Sequence, residues 1–162
     1  MPFSSAAGRS ESTTLRRSAA SSRLLHNEDA SISGLRVLVV DDDADARELI
    51  GLTLDSRGAS VHLVTSAGEA LESIRHDRPD VMIADIGMPQ EDGYALIQTV
   101  RALEREHYHT HLPAIALTAY ASTTDRDQAL TAGYDLHLAQ PVGPADLTQA
   151  LAAFRKARQH EA

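Results

Sequence analysis

Three consecutive aspartates, Asp41, Asp42 and Asp43, follow the apolar run 36–40 (RVLVV), and a fourth, Asp85, follows the apolar run 80–84 (DVMIA). Carboxylates that converge in one crevice repel one another, so either one of them keeps its proton or a cation sits among them. A divalent ion with oxygen ligands is the economical solution. Mg²⁺ suits it, because that ion is commonly held by one or two carboxylates, water and a phosphoryl oxygen rather than by a full protein cage. The same acids argue against a nucleotide or dinucleotide site, which needs a Gly-rich turn with free N–H groups after the first strand. Thr118 follows the run 114–117 (AIAL), and Ala139, Gln140 and Pro141 follow 135–138 (DLHL). After 60–64 (SVHLV), Thr65 and Ser66 read as helix caps.

Blander readings of the acids are available. Asp41, Asp43 and Asp45 have the opening spacing of a calcium loop, but Ala46 and Leu52 stand where that loop needs Gly and Glu. Asp41 and Asp43 also have the spacing of a phosphatase nucleophile loop, although so small a chain lacks the expected lid. Asp43 reads best as a helix N-cap.

The acids need a scaffold, and the pattern supplies one. Short apolar runs alternate with helical stretches from Leu35 onward, the signature of repeated β-α units and a parallel sheet. The runs at 36–40, 80–84 and 114–117 are nearly unbroken, as strands buried on both faces should be. Those at 60–64 and 135–138 are interrupted by His62 and His137, which places them at the sheet edges. Helices are expected over 44–57, with Ala46, Leu49, Ile50 and Leu54 inward and Gly58 as the stop, and from Ser66 to about His76, where Ser66 and Glu69 form a capping box. Others are expected from Tyr94 to about Glu106 (Leu96, Ile97, Val100 and Leu103 inward), from Thr124 to Ala132, and from Ala145 to about Arg158. Five strands and five helices in alternation give an α/β, doubly wound parallel sheet, in which ligands bind beyond the carboxyl ends of the strands.

The 162 residues allow one domain and a tail. Residues 1–34 are rich in Ser and Arg and read as a disordered tail or linker, 35–158 as the domain, and 159–162 as a C-terminal tail. Arg9, Arg16, Arg17 and Arg23 invite a transit-peptide or twin-Arg reading, but no hydrophobic segment follows them. No run approaches the ~18 apolar residues of a membrane span, so no membrane partner is expected. Cys is absent, which removes disulfides and thiolate sites. A net charge of -8 without a long basic patch, and aromatics at only 4%, argue against nucleic acid.

Val37–Asp43, the segment Pro79–Pro89 continuing through Asp92, Gly93 and Tyr94, then Ala116–Ala119, and finally Ala132–Gly133 with Gln140–Pro141, together resemble a response-regulator receiver domain over about residues 35–158. The resemblance implies a flavodoxin-like strand order 2-1-3-4-5 and a cytoplasmic phosphorelay protein. It implies phosphorylation of Asp85 by a histidine kinase or histidine phosphotransfer protein. Asp42 would bind Mg²⁺ directly with Asp41 in support, and the Gly87 carbonyl would be the main-chain ligand. The Thr118 hydroxyl would meet a phosphoryl oxygen, and Pro141 would follow a cis bond. N–H groups after the strand ends, such as those of Ile86 and Ala119, would complete the cradle. Because the last helix reaches nearly to the end of the sequence, a single-domain regulator, or a receiver from a hybrid histidine kinase, is expected, its output being contact with a downstream effector protein.

The sequence also departs from the family pattern. Gln140 stands where most receivers have Lys, so a neutral amide replaces an ammonium. The sole lysine, Lys156, lies late in the last helix, so a replacement cation would have to be an arginine reaching in, such as Arg47 or Arg126. The alternative is therefore an interaction module that signals without phosphate. His137 occupies the family's aromatic switch position and reads best as a surface residue, while His107, His109 and His111 read as solvated loop residues. Tyr120, two positions beyond Thr118, is placed to shield the phosphate.

Overall fold

The computed structural model describes residues 31–88, 93–119 and 122–161. The sequence expectations for residues 1–30, Pro89, Asp92 and Tyr120 lie outside the described residues. The strands are β1 (Arg36–Val40), β2 (Ser60–Val64), β3 (Val81–Asp85), β4 (Ala114–Thr118) and β5 (Leu136–Ala139). The helices are α1 (Ala44–Asp55), α2 (Ala67–His76), α3 (Gly93–Leu103), α4 (Thr123–Ala132) and α5 (Pro144–Glu161). All strand pairs are parallel, in the order β2-β1-β3-β4-β5, so the two strands interrupted by histidine are the edges.

Successive strand residues point to opposite faces, and two cores result. Leu38, Val40, Met82, Ala84 and Ala116 pack under α2 and α3, against Ala70, Ile74, Leu96, Ile97 and Val100. Val37, Val39, Val81, Ile83, Ile115 and Leu117 pack under α1 and α5, against Ile50, Leu54, Leu147 and Leu151. Burying a side chain of this size stabilises the fold by roughly 1.5–3 kcal/mol. Among the described residues no helix is long and apolar enough to cross a membrane.

The helix caps follow the sequence closely. Ser66 accepts from the Glu69 N–H, but the Glu69 carboxylate reaches back to the Thr65 N–H and hydroxyl rather than to Ser66. Gly133 ends α4 at φ 135°, a conformation that side chains other than glycine rarely adopt. Three details differ from the sequence reading. Leu49 is 65% exposed, because α1 turns Ile50, Gly51 and Leu54 inward instead. Ile32 is only 1% exposed, so the packed core reaches back ahead of Leu35. α3 gives way at Leu103 to a π-helical turn, Glu104–Tyr108. That turn buries Glu104, whose Oε2 accepts from Arg101 Nη1 at 2.7 Å, Arg78 Nη2 at 3.3 Å and the Leu112 N–H at 2.6 Å. Arg101 also meets Asp135 at 3.0 Å.

Candidate functional site

The carboxyl ends of β1 and β3 are adjacent, because these strands pair from Val37↔Val81 to Val40↔Ala84. This register brings the turn after β1 against the last residue of β3. Asp41, Asp42 and Asp85 each place an oxygen within 4.8 Å of the others. Asp41 is almost fully buried, Asp85 half-buried and Asp42 exposed, so the cluster opens to solvent on one side. Asp43 is the N-cap of α1, its Oδ1 accepting from the Asp45 N–H, as the sequence reading expects.

The electrostatics follow from this crowding. Burial, opposed by the Asp43 N–H bond and reinforced by Asp85, Asp42 and Asp43, pushes the Asp41 carboxyl up from 3.8 to about 6. Burial likewise raises Asp85, with the Gly87 N–H opposing it and the negative charge of Asp42 adding to it. Asp41 Oδ1 accepts from the Asp43 N–H at 2.9 Å, whereas Oδ2 is buried with no hydrogen-bond partner among the described residues. Three converging carboxylates, one of them with a buried oxygen left unpartnered, are a hard-oxygen donor set that fits a divalent cation such as Mg²⁺.

Other expected site residues also gather here. Gly87 donates its N–H to Asp85 Oδ1 at 2.8 Å, and a Cβ added at Gly87 would stand 3.4 Å from that oxygen. Thr118, the last residue of β4, is 6% exposed, and its carbonyl accepts the Gln140 N–H at 2.7 Å. The Gln140–Pro141 bond is cis, as expected. The Ile86 N–H does not join the cradle: it is donated to Leu117 O at 2.9 Å, continuing the β3–β4 ladder. Gly93 lies close against Ile86, for a Cβ there would lie 2.8 Å from the Ile86 Cα.

Arg47 reaches the acidic turn, donating from Nη1 to the Asp41 carbonyl at 2.8 Å, while Arg126 stays exposed beside Asp127. His137 is half-buried rather than superficial, its buried Nε2 without a hydrogen-bond partner among the described residues. His107, His109 and His111 are exposed, and His111 Nε2 lies 2.8 Å from Asp135 Oδ1. Sequence reasoning missed the Gly87 N–H as a partner of Asp85, since a main-chain donor leaves no side-chain signal.

Residues 37–152 match the family model described as the response regulator receiver domain. The chain is similar to an uncharacterized 14.6 kDa protein in the sodA1 3′ region of Leptolyngbya boryana, 41% identical over 117 residues, which cover 72% of this chain and 87% of that protein. It is 34% identical over 130 residues to the transcriptional regulatory protein PrrA of Mycobacterium tuberculosis, covering 80% of this chain and 54% of PrrA. The chain therefore spans about half the length of that relative. Among solved structures, the receiver domain of the sensor histidine kinase PA1611 from Pseudomonas aeruginosa carries a magnesium ion in its active-site cleft; it is 34% identical, with a TM-score of 0.67, covering 75% of this chain and 98% of that one. With the parallel order β2-β1-β3-β4-β5 and three acids at the carboxyl ends of β1 and β3, the chain belongs to the response regulator receiver domain family of two-component signalling.

Proposed function

We propose that the chain accepts a phosphoryl group on Asp85 from a histidine kinase or histidine phosphotransfer protein and signals by a change in its contacts with an effector protein. The observation that carries this reading is the convergence of Asp41, Asp42 and Asp85, with Asp41 Oδ2 buried and unpartnered among the described residues. Asp41, Asp42, Asp85 and the Gly87 carbonyl would hold Mg²⁺. When bound, that ion would neutralise charge on the transferring group.

The other roles belong to the chain's own groups. A carboxylate oxygen of Asp85 forms a bond to phosphorus while the bond to the donor imidazole nitrogen breaks, and the leaving imidazole keeps the electron pair and takes its proton from water. The Gly87 N–H already holds Asp85 Oδ1 and so fixes the plane of the nucleophile. The Thr118 hydroxyl and the Gln140 side-chain amide would donate to phosphoryl oxygens. The product is an acyl phosphate, which water hydrolyses. Phosphorylation then shifts a two-state equilibrium of the domain and with it the affinity for the partner.

Gln140 favours a second reading, an interaction module indifferent to phosphate. Incubation of wild type, Asp85→Asn and Gln140→Lys with acetyl phosphate and Mg²⁺ decides between the two. An acyl phosphate on wild type and on Gln140→Lys, absent from Asp85→Asn, supports phosphoryl acceptance. A folded wild type that takes up none supports the module.

A further inference from the structure

Asp41, one of the three converging acids, is held at three points, and its buried Oδ2 has no hydrogen-bond partner among the described residues. Its N–H donates to Val64 O at 3.2 Å, its Oδ1 accepts from the Asp43 N–H at 2.9 Å, and its carbonyl accepts from Arg47 Nη1 at 2.8 Å. The third contact joins the turn to the helix that follows it. The Arg47 main-chain N–H donates to Asp43 O at 2.9 Å, so Arg47 grips the acidic turn through its side chain at Asp41 and through its backbone at Asp43.

Arg47 is half-buried, and its charge adds a minor part to the lowering of the Glu69 carboxyl, which comes first from the bonds donated by Thr65. The Glu69 carboxylate in turn holds the Thr65 N–H at 2.7 Å and the Thr65 hydroxyl at 2.9 Å, at the carboxyl end of β2. The Arg47 side chain ends on the main chain of a turn whose carboxylates repel one another, at a site where residue 140 is a neutral glutamine. A planar guanidinium with five donors in a fixed fork suits this task, because one donor can hold the carbonyl while the others remain free for a second partner.

We propose that Arg47 is a positioning residue of this site: it clamps the Asp41 carbonyl so that the acidic turn stays convergent on Asp85 when its carboxylates are ionised. The inference rests on the reading of these acids as the cation-holding, phosphoryl-accepting site. Arg47 itself touches neither the phosphoryl group nor the ion.

The test compares wild type, Arg47→Met and Arg47→Lys at pH 8 in three measurements: calorimetric Mg²⁺ titration, hydrogen exchange at the Asp43 amide in metal-free buffer, and thermal melting. Arg47→Met is expected to keep a cooperative melt, to weaken Mg²⁺ binding about tenfold, the usual scale for loss of a group that orients a ligand, and to speed exchange at Asp43. Arg47→Lys, which keeps the charge but loses the fork, should fall between the two. If Arg47→Met does not fold, Arg47→Lys carries the comparison, and weaker Mg²⁺ binding with faster Asp43 exchange is again expected. Wild-type Mg²⁺ affinity in a folded Arg47→Met, or in Arg47→Lys where that variant carries the test, overturns the inference, as does unchanged Asp43 exchange. A wild type that takes up no Mg²⁺ overturns the reading of the site itself, and the role of Arg47 falls with it.

Discussion

The Gln140 N–H donates to the Thr118 carbonyl at 2.7 Å, so the residue that replaces the usual lysine is tied to the site by its backbone, whatever its side chain. A new side chain at 140 therefore starts from the same anchor. Gln140→Lys places an ammonium near three carboxylates, and its attraction to them lowers their mutual repulsion. The metal-free variant is expected to melt above wild type and to accumulate severalfold more acyl phosphate from acetyl phosphate. A lower melting temperature together with unchanged phosphate uptake would contradict this.

Asp41 sets a pH dependence whose sign follows from its raised carboxyl. The folded form holds its proton up to about pH 6, against 3.8 for the ordinary group, so its stabilising contribution is complete below 3.8 and is lost as pH rises through about 6. Asp85 acts in the same direction. Denaturant unfolding of metal-free wild type and Asp41→Asn should show the variant gaining on wild type from pH 4.5 to pH 8. Parallel stability curves would remove Asp41 as the strained acid.

Much of this site could be read from the order of residues. Asp41, Asp42, Asp85, Thr118 and Gln140 each sit within two residues after an apolar run, and parallel strands bring their carboxyl ends to one edge. Interactions that depend on the main chain or on distant partners left no such trace. The use of the Ile86 N–H in the β3–β4 ladder is set by register, and the grip of Gly87 on Asp85 by a turn. Ile32 lies in a stretch without apolar period, yet packs into the core beside Leu35. Glu104 reads as one more charge on a helix surface, and becomes buried because two arginines from separate segments close over it.

Gly93→Ala tests how closely Gly93 packs against Ile86 and Tyr134. The new methyl would stand 2.8 Å from the Ile86 Cα and 3.0 Å from the Tyr134 hydroxyl, which itself donates to Gly93 O. Overpacking against backbone should cost about 1–3 kcal/mol in chemical denaturation. A loss below about 0.5 kcal/mol, within the range of neutral surface changes, would show that this packing yields freely.

Glu104→Ala separates stability from site chemistry. Removing the buried carboxylate takes one partner from Arg101, which keeps Asp135, and leaves the Leu112 N–H without its acceptor, and should cost about 1–3 kcal/mol. Because Arg78, Arg101 and Asp135 lie toward the amino ends of the strands, Mg²⁺ affinity of the folded variant should match wild type. A variant as stable as wild type would contradict the structural role assigned to Glu104.

The most direct measurement is a calorimetric Mg²⁺ titration of the folded protein at pH 8, run beside Asp42→Asn and Asp85→Asn. The account predicts one bound ion per chain in wild type and a loss of at least about tenfold in affinity in each variant. Wild-type protein that binds no Mg²⁺, or variants that bind it as tightly as wild type, would contradict the claim that these acids share a cation.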